Sequence, residues 1–177
     1  MSVHPLIELA NDHEVKQAKG FIQAAAVLTG EALEALYQQE VASAPRRDQV
    51  AKKYLGERTG RIPRARQHGR DEKHLALALG AWAQSTQQAL ELPSGEALGL
   101  VDCLVPLRTA APDKSSAEAD ANKGVEDIDL LGLLPGERLA IVQLKYLEPE
   151  AARGGAGDTP LRMLLGGLAT TAHADAN

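Results

Sequence analysis

The stretch VEDIDLLGLLPGERLAIVQLKY, residues 125–146, decides the fold that the sequence predicts. It reads as two apolar β-strands joined by a tight turn at residues 135–137, PGE. Asp129 lies on the first strand, and Gln143 and Lys145 lie on the second. Burying a polar side chain without a partner costs free energy, so three such residues in strands this apolar indicate a function beyond folding.

The elements around this hairpin predict an α+β domain. A helix is expected from Asp71 to Leu92, because Leu75, Leu79 and Trp82 recur on one of its faces. The run from Ala97 to Leu107 reads as a strand. A closing helix is predicted at residues 161–173. The order is therefore helix, three strands and helix, which an antiparallel meander with flanking helices satisfies most simply.

The N-terminal part is predicted to be helical and separate. Residues 4–43 are rich in Ala, Leu, Glu and Gln, and residues 29–31, TGE, indicate a break between helices. The predicted division is a helical segment with a basic stretch at residues 1–68, followed by the αβββα core at residues 69–177.

Charge is distributed unevenly along the chain. The net charge is −5, but residues 46–74 hold ten basic and four acidic side chains, or +6, which leaves −11 for the remainder. Basic residues concentrated in one segment provide a surface for phosphate contacts, and a solvated Arg-rich linker is the other interpretation. The candidate nucleic-acid-binding residues are Arg46, Arg47, Lys52, Lys53, Arg61, Arg64, Arg66 and Arg70.

Composition limits the other classes of function. The chain has 177 residues, 44% of them hydrophobic and 3% aromatic, so binding through stacked bases is disfavoured. One cysteine, Cys103, forms no internal disulfide and indicates a reducing compartment. The sequence contains no apolar run of transmembrane length and no secretory signal at its N-terminus, so a soluble, cytoplasmic protein without a membrane partner is expected.

The hairpin residues suit metal-dependent phosphodiester cleavage. Asp129 offers a carboxylate and Gln143 a neutral amide oxygen, which are ligands that Mg²⁺ accepts. Lys145 lies two residues after Gln143, so both side chains project from the same strand face. A lysine there orients a water molecule or balances the charge that develops on the phosphate.

The pattern Asp129, thirteen residues, then Gln143-Leu144-Lys145 resembles the core motif of the PD-(D/E)xK nuclease superfamily. The family also carries a glutamate on the helix before the first core strand, a position that Glu72 matches. The resemblance implies a restriction-endonuclease-like αβββα core with a mixed, mostly antiparallel sheet, plus N-terminal helices. It covers residues 71–173.

The resemblance also implies the roles of the site residues. Asp129, Gln143 and Glu72 would bind Mg²⁺ or Mn²⁺, and Lys145 would serve the attacking water, with DNA favoured over RNA as substrate. Two departures stand out: Gln143 replaces the usual acidic residue, and the further strand that usually follows the last helix is absent from the sequence.

Other interpretations of the same residues remain open. Asp129 suits a hydrogen bond to a strand end, Lys145 an exposed strand edge, and Glu72 the positive end of a helix dipole. A catalytically weak or inactive nuclease-like fold is the alternative function. It would act as a protein-interaction module or a homodimer through its Ala- and Leu-rich helices, and both Gln143 and the overall acidity favour it.

Overall fold

The computed structural model describes residues 4–17, 20–45, 71–107, 122, 124–145 and 159–176. This described part contains six helices and four strands, and its fold class is α+β, as predicted. The elements in chain order are α1 (Pro5–Asn11), α2 (His13–Lys16), α3 (Phe21–Val27), α4 (Gly30–Ser43), α5 (Asp71–Thr86), β1 (Leu90–Glu91), β2 (Ala97–Val105), β3 (Ile128–Leu134), β4 (Arg138–Val142) and α6 (Pro160–Asp175).

The chain divides into two compact units, each with its own core. The helical unit takes its described residues from Met1–Ala51, Leu107–Glu126 and Leu147–Asn177. The sheet unit takes its described residues from Lys52–Pro106 and Asp127–Tyr146. The predicted boundary between residues 68 and 69 lies outside the described residues.

The helical unit is built from α1 to α4 and α6. Thr29 caps α4 by accepting the N–H of Ala32 at 3.1 Å, which places a helix start at the predicted break. The Thr159 hydroxyl donates to the Val15 carbonyl at 2.6 Å and so ties the beginning of α6 to α2. The core of this unit comprises Leu6, Ala10, Val15, Leu161, Leu165 and Ala169. Since α6 shares this core, it belongs to the helical unit, whereas the resemblance groups it with the nuclease core.

The sheet unit is a four-stranded meander in the order β1-β2-β3-β4. Every pairing among its described strands is antiparallel, so the mixed sheet that the resemblance implies is not found there. The helix α5 covers one face, where the buried residues Ala76, Cys103, Leu104 and Leu130 form the core. A Cβ on Gly132 would lie 2.8 Å from the backbone oxygen of Gly99, so β3 approaches β2 this closely only with glycine at position 132.

The first hairpin of the sheet corrects the sequence prediction. The helix α5 ends at Thr86 and not at Leu92, because Gln87 adopts a left-handed conformation with φ +56°. The chain then extends, and Leu90–Glu91 pairs with the beginning of β2 around a turn that contains Gly95 at φ +82°. Strand pairing therefore overrides the helical propensity of this segment.

The second hairpin confirms the predicted turn. The segment PGE at 135–137 joins β3 to β4, with Gly136 at φ +79° and Glu137 at φ +59°. The register pairs Leu130 with Val142 and Leu134 with Arg138. Among the helices described, none combines the length and the apolar character that crossing a membrane requires.

Candidate functional site

Asp129 is buried near the beginning of β3, with 6% of its surface exposed. Its Oδ2 accepts the backbone N–H of Leu144 at 2.8 Å. This bond joins β3 to the segment that follows β4, beyond the last ladder pair between the two strands. The hydrogen bond to a strand end that one interpretation of Asp129 predicts is therefore present, and it fixes the carboxylate beside residues 143–145.

Gln143 and Lys145 follow β4 on the side of the sheet where Asp129 lies. The register between β3 and β4, continued by one residue, sets Gln143 opposite Asp129. Val142 and Leu144 pack on the core beneath α5 together with Leu130. Because side chains alternate along an extended chain, Asp129, Gln143 and Lys145 share the other face. Gln143 and Lys145 are both half-buried.

On β2, the strand on the other side of β3, the backbone opposite Asp129 is strained. The register between β2 and β3 sets Leu104 across from Asp129, and Leu104 has φ +51°, a conformation that costs a non-glycine residue about 1–2 kcal/mol. Regular alternation would put the Leu104 side chain on the face of Asp129. Instead it packs with Cys103 and Leu130 in the core beneath α5. The left-handed residue therefore removes a leucine side chain from the neighbourhood of Asp129.

Glu72 lies in the first turn of α5 and is half-buried. Its neighbour Lys73 forms an ion pair with Asp127 at 3.9 Å, which locates the beginning of α5 near the segment that precedes β3. The helix packs on the face opposite to Asp129 and Gln143. The structure thus brings Asp129, Gln143 and Lys145 to one end of the hairpin, while Glu72 lies at the beginning of the helix on the opposite face.

The predicted nucleic-acid-binding residues lie outside the described residues. They are Arg46, Arg47, Lys52, Lys53, Arg61, Arg64, Arg66 and Arg70.

A second group of polar residues lies in the helical unit and was not predicted from the sequence. Glu40 on α4, fully buried, accepts hydrogen bonds at Oε1 from His4 Nδ1 at 2.9 Å and from His173 Nε2 at 3.0 Å. Its Oε2 accepts the backbone N–H of Leu6 at 3.0 Å. His4 is 8% exposed and His173 is 1% exposed. Three helices therefore meet at one carboxylate.

The electrostatics of Glu40 follow from these contacts. Burial raises the pKa of the carboxyl group, but the hydrogen bonds from His173, Leu6 and His4 outweigh burial and hold the pKa of Glu40 below its ordinary value. An ionised carboxylate only accepts hydrogen bonds, so the two nitrogens that face it each carry a proton.

The sequence contains a signal for this cluster. Glu40 follows Leu33, Leu36 and Tyr37 at helical spacing, so it continues the apolar stripe that these residues form on α4. His173 continues the stripe of Leu165 and Ala169 on α6 in the same way. A charged residue at a buried position of a helix needs a partner, and each of these positions therefore predicts one.

Comparison of the chain with family models, curated proteins and solved structures found no match.

Proposed function

We propose that this protein is a metal-dependent nuclease that hydrolyses phosphodiester bonds, with DNA as the expected substrate. The observation that carries the proposal is the position of Asp129 beside Gln143-Leu144-Lys145, across the ends of two paired strands and fixed by the 2.8 Å bond to Leu144. The resemblance implies a helix followed by three strands, and α5, β2, β3 and β4 supply these four elements, although the two-residue strand β1 lies between α5 and β2.

The donor set suits Mg²⁺ or Mn²⁺. Asp129 and Gln143 would supply oxygen ligands, which is the chemistry that a hard cation prefers, and Glu72 would contact the ion through a water molecule. When bound, the cation would polarise the phosphodiester and lower the pKa of a bound water molecule. Gln143 contributes no charge, so the site carries less negative charge than one with an acidic residue there.

Lys145 performs the part of the reaction that needs a fixed positive charge. Its ammonium group donates hydrogen bonds and accepts none, so it orients the lone pairs of an attacking water molecule. It also offsets the negative charge that develops on the phosphate oxygens in the transition state.

The test is a cleavage assay with duplex DNA, single-stranded DNA and RNA in Mg²⁺, Mn²⁺ or EDTA. We expect cleavage in the divalent metals and none in EDTA. Lys145→Ala and Asp129→Asn should each lower the rate by at least about a hundredfold, because each removes one charged group of the reaction centre. The matched control is Lys16→Ala, which removes an exposed lysine on α2 and should leave the rate unchanged.

Two results would count against the nuclease. One is the absence of cleavage of every substrate in both metals. The other is cleavage that Lys145→Ala leaves intact, which would assign the activity to a contaminant.

The alternative, a protein-interaction module, has its own supporting observation. Large apolar side chains are exposed on the helices that would form its partner surface. They are Ile22, Val27, Leu75, Met163 and Leu164. An inactive protein that forms a concentration-dependent dimer in analytical ultracentrifugation, and loses it with Val27→Asp, would favour this function.

A further inference from the structure

We propose that His4, Glu40 and His173 form a binding site for a divalent transition metal of the Zn²⁺ class. The three residues each offer a ligand atom, and these atoms all lie within 4.8 Å of one another. Among the residues that the structure describes, this is the one group of three His, Cys, Asp or Glu side chains with such proximity. The site is independent of the oxygen ligands at Asp129.

The distances suit a tetrahedral ion. Zn–N and Zn–O bonds of about 2.0–2.2 Å at tetrahedral angles set neighbouring ligand atoms about 3.3 Å apart. Glu40 Oε1 lies 2.9 Å from His4 Nδ1 and 3.0 Å from His173 Nε2. An expansion of about 0.3–0.4 Å per pair would therefore open the cluster to the ion. The two imidazole rings, with centroids 5.0 Å apart, are tilted by 50° and are not stacked face to face.

The ligand chemistry selects the class of metal. Two imidazoles and one carboxylate suit Zn²⁺ and its neighbours among the transition metals, whereas Mg²⁺ and Ca²⁺ prefer oxygen ligands alone. The charges fit as well, because one carboxylate and two neutral imidazoles leave a bound dication with a net charge of +1. Binding requires that the proton on His4 Nδ1 and the proton on His173 Nε2 move to the other nitrogen of each ring, so that each facing nitrogen presents its lone pair to the ion.

The surroundings orient the ligands. The Leu6 N–H donates to Glu40 Oε2, so the carboxylate keeps Oε1 directed at both imidazoles. The side chains of Glu40 and His173 are almost completely enclosed, whereas the His4 side chain is 11% exposed. Solvent therefore reaches the cluster from the side of His4, where a water molecule would supply the fourth ligand.

The test uses the full chain, stripped with EDTA and then freed of chelator. Isothermal titration calorimetry with ZnCl₂ at pH 7 should give a stoichiometry of one ion per chain. Zn²⁺ should also raise the melting temperature of the protein. Co²⁺ in place of Zn²⁺ should give the intense visible absorption of a four-coordinate ion. His4→Gln and His173→Gln should each weaken the affinity at least tenfold, as the loss of one of three protein ligands requires.

Three controls assign the result to this cluster. His13→Gln removes an exposed histidine on α2, and Glu34→Gln removes an exposed carboxylate on α4; neither should change the affinity for Zn²⁺. Circular dichroism of each variant in EDTA checks its fold. Should His173→Gln unfold, His4→Gln at the partly exposed edge still tests the site.

The competing account is a network of hydrogen bonds that holds the three helices together without a metal. Under that account the wild type takes up no more Zn²⁺ than His4→Gln, and Zn²⁺ leaves its melting temperature unchanged. Either result, or Zn²⁺ binding that persists in both histidine variants, would overturn the proposal.

Discussion

Glu40 and Asp129 are both buried carboxylates, but the two units use them differently. Glu40 accepts hydrogen bonds from two imidazoles and one backbone N–H, so it joins three helices at a single point. Asp129 accepts the N–H of Leu144 in the adjacent segment and lies among the other polar residues of the hairpin. The helical unit therefore depends on its carboxylate for packing, while the sheet unit holds its carboxylate at the end of a structure that its strands already define.

The proposed nuclease gives the two carboxylates different expected roles, and measurements of stability and activity separate them. Removing Glu40 should damage stability, and removing Asp129 should damage activity. Both carboxylates are almost inaccessible to solvent, so burial alone does not distinguish the two roles. The hydrogen-bond partners of each carboxylate do distinguish the two roles.

The largest effect is expected for Glu40→Ala. It leaves the N–H of Leu6 and the facing nitrogens of His4 and His173 without their acceptor, so the free energy of unfolding in EDTA should fall by about 3–5 kcal/mol. Chemical denaturation measures the change. Glu34→Ala on the same helix removes an exposed carboxylate and should cost no more than about 0.5 kcal/mol. Equal losses in the two variants would show that Glu40 carries no special role in the helical unit.

A smaller loss of stability is expected when Glu40 becomes protonated at low pH. The pKa of Glu40 is lower in the folded protein than its ordinary value of 4.5, so its contribution to stability is complete above about pH 4.5 and is lost as pH falls through the folded pKa. Glu40→Gln cannot ionise and should be less stable than the wild type by about 2 kcal/mol at neutral pH.

The gap in unfolding free energy between these two proteins should narrow from pH 4.5 downward. His4 and His173 face the side chain of residue 40 in both proteins, so the comparison isolates the charge of Glu40. A gap that stays constant down to pH 3 would contradict the assignment of the charge.

The smallest effect on stability is expected for Asp129→Asn. Its amide oxygen can still accept the N–H of Leu144, so the free energy of unfolding should change by less than about 1 kcal/mol. Asp129→Leu removes the acceptor and should cost about 1–3 kcal/mol in the same denaturation experiment. If Asp129→Asn were as damaging as Glu40→Ala, the contrast between the two carboxylates would disappear.

The hairpin was predictable because its information is local. Short runs of apolar residues define β3 and β4, and the turn at residues 135–137 contains a glycine that the structure holds at positive φ. Once the turn is known, the register follows, and the register sets Gln143 opposite Asp129. The spacing along the chain was therefore enough to predict which polar residues share one end of the hairpin.

The cluster at Glu40 was not found because its members are remote in sequence. His4 lies 36 residues from Glu40 and His173 lies 133 residues from it, so no local pattern connects them. The predicted end of α5 was wrong for a related reason. The segment after Thr86 contains helix-forming residues, and only its pairing with the beginning of β2 makes it a strand. Long-range contacts decide both features.

The chain order of the helical unit has a consequence for synthesis on the ribosome. Helices α1 to α4 emerge first, and α6 emerges only after the whole sheet unit has been translated. Closing the 133-residue loop between Glu40 and His173 costs about 2 kcal/mol more entropy than closing the 15-residue loop between Asp129 and Leu144. The meander therefore has the earlier and easier route to its native state. Until α6 has been translated, the apolar faces of α1 and α2 have no helix to pack against. A nascent chain with these faces exposed is the form that a chaperone would encounter.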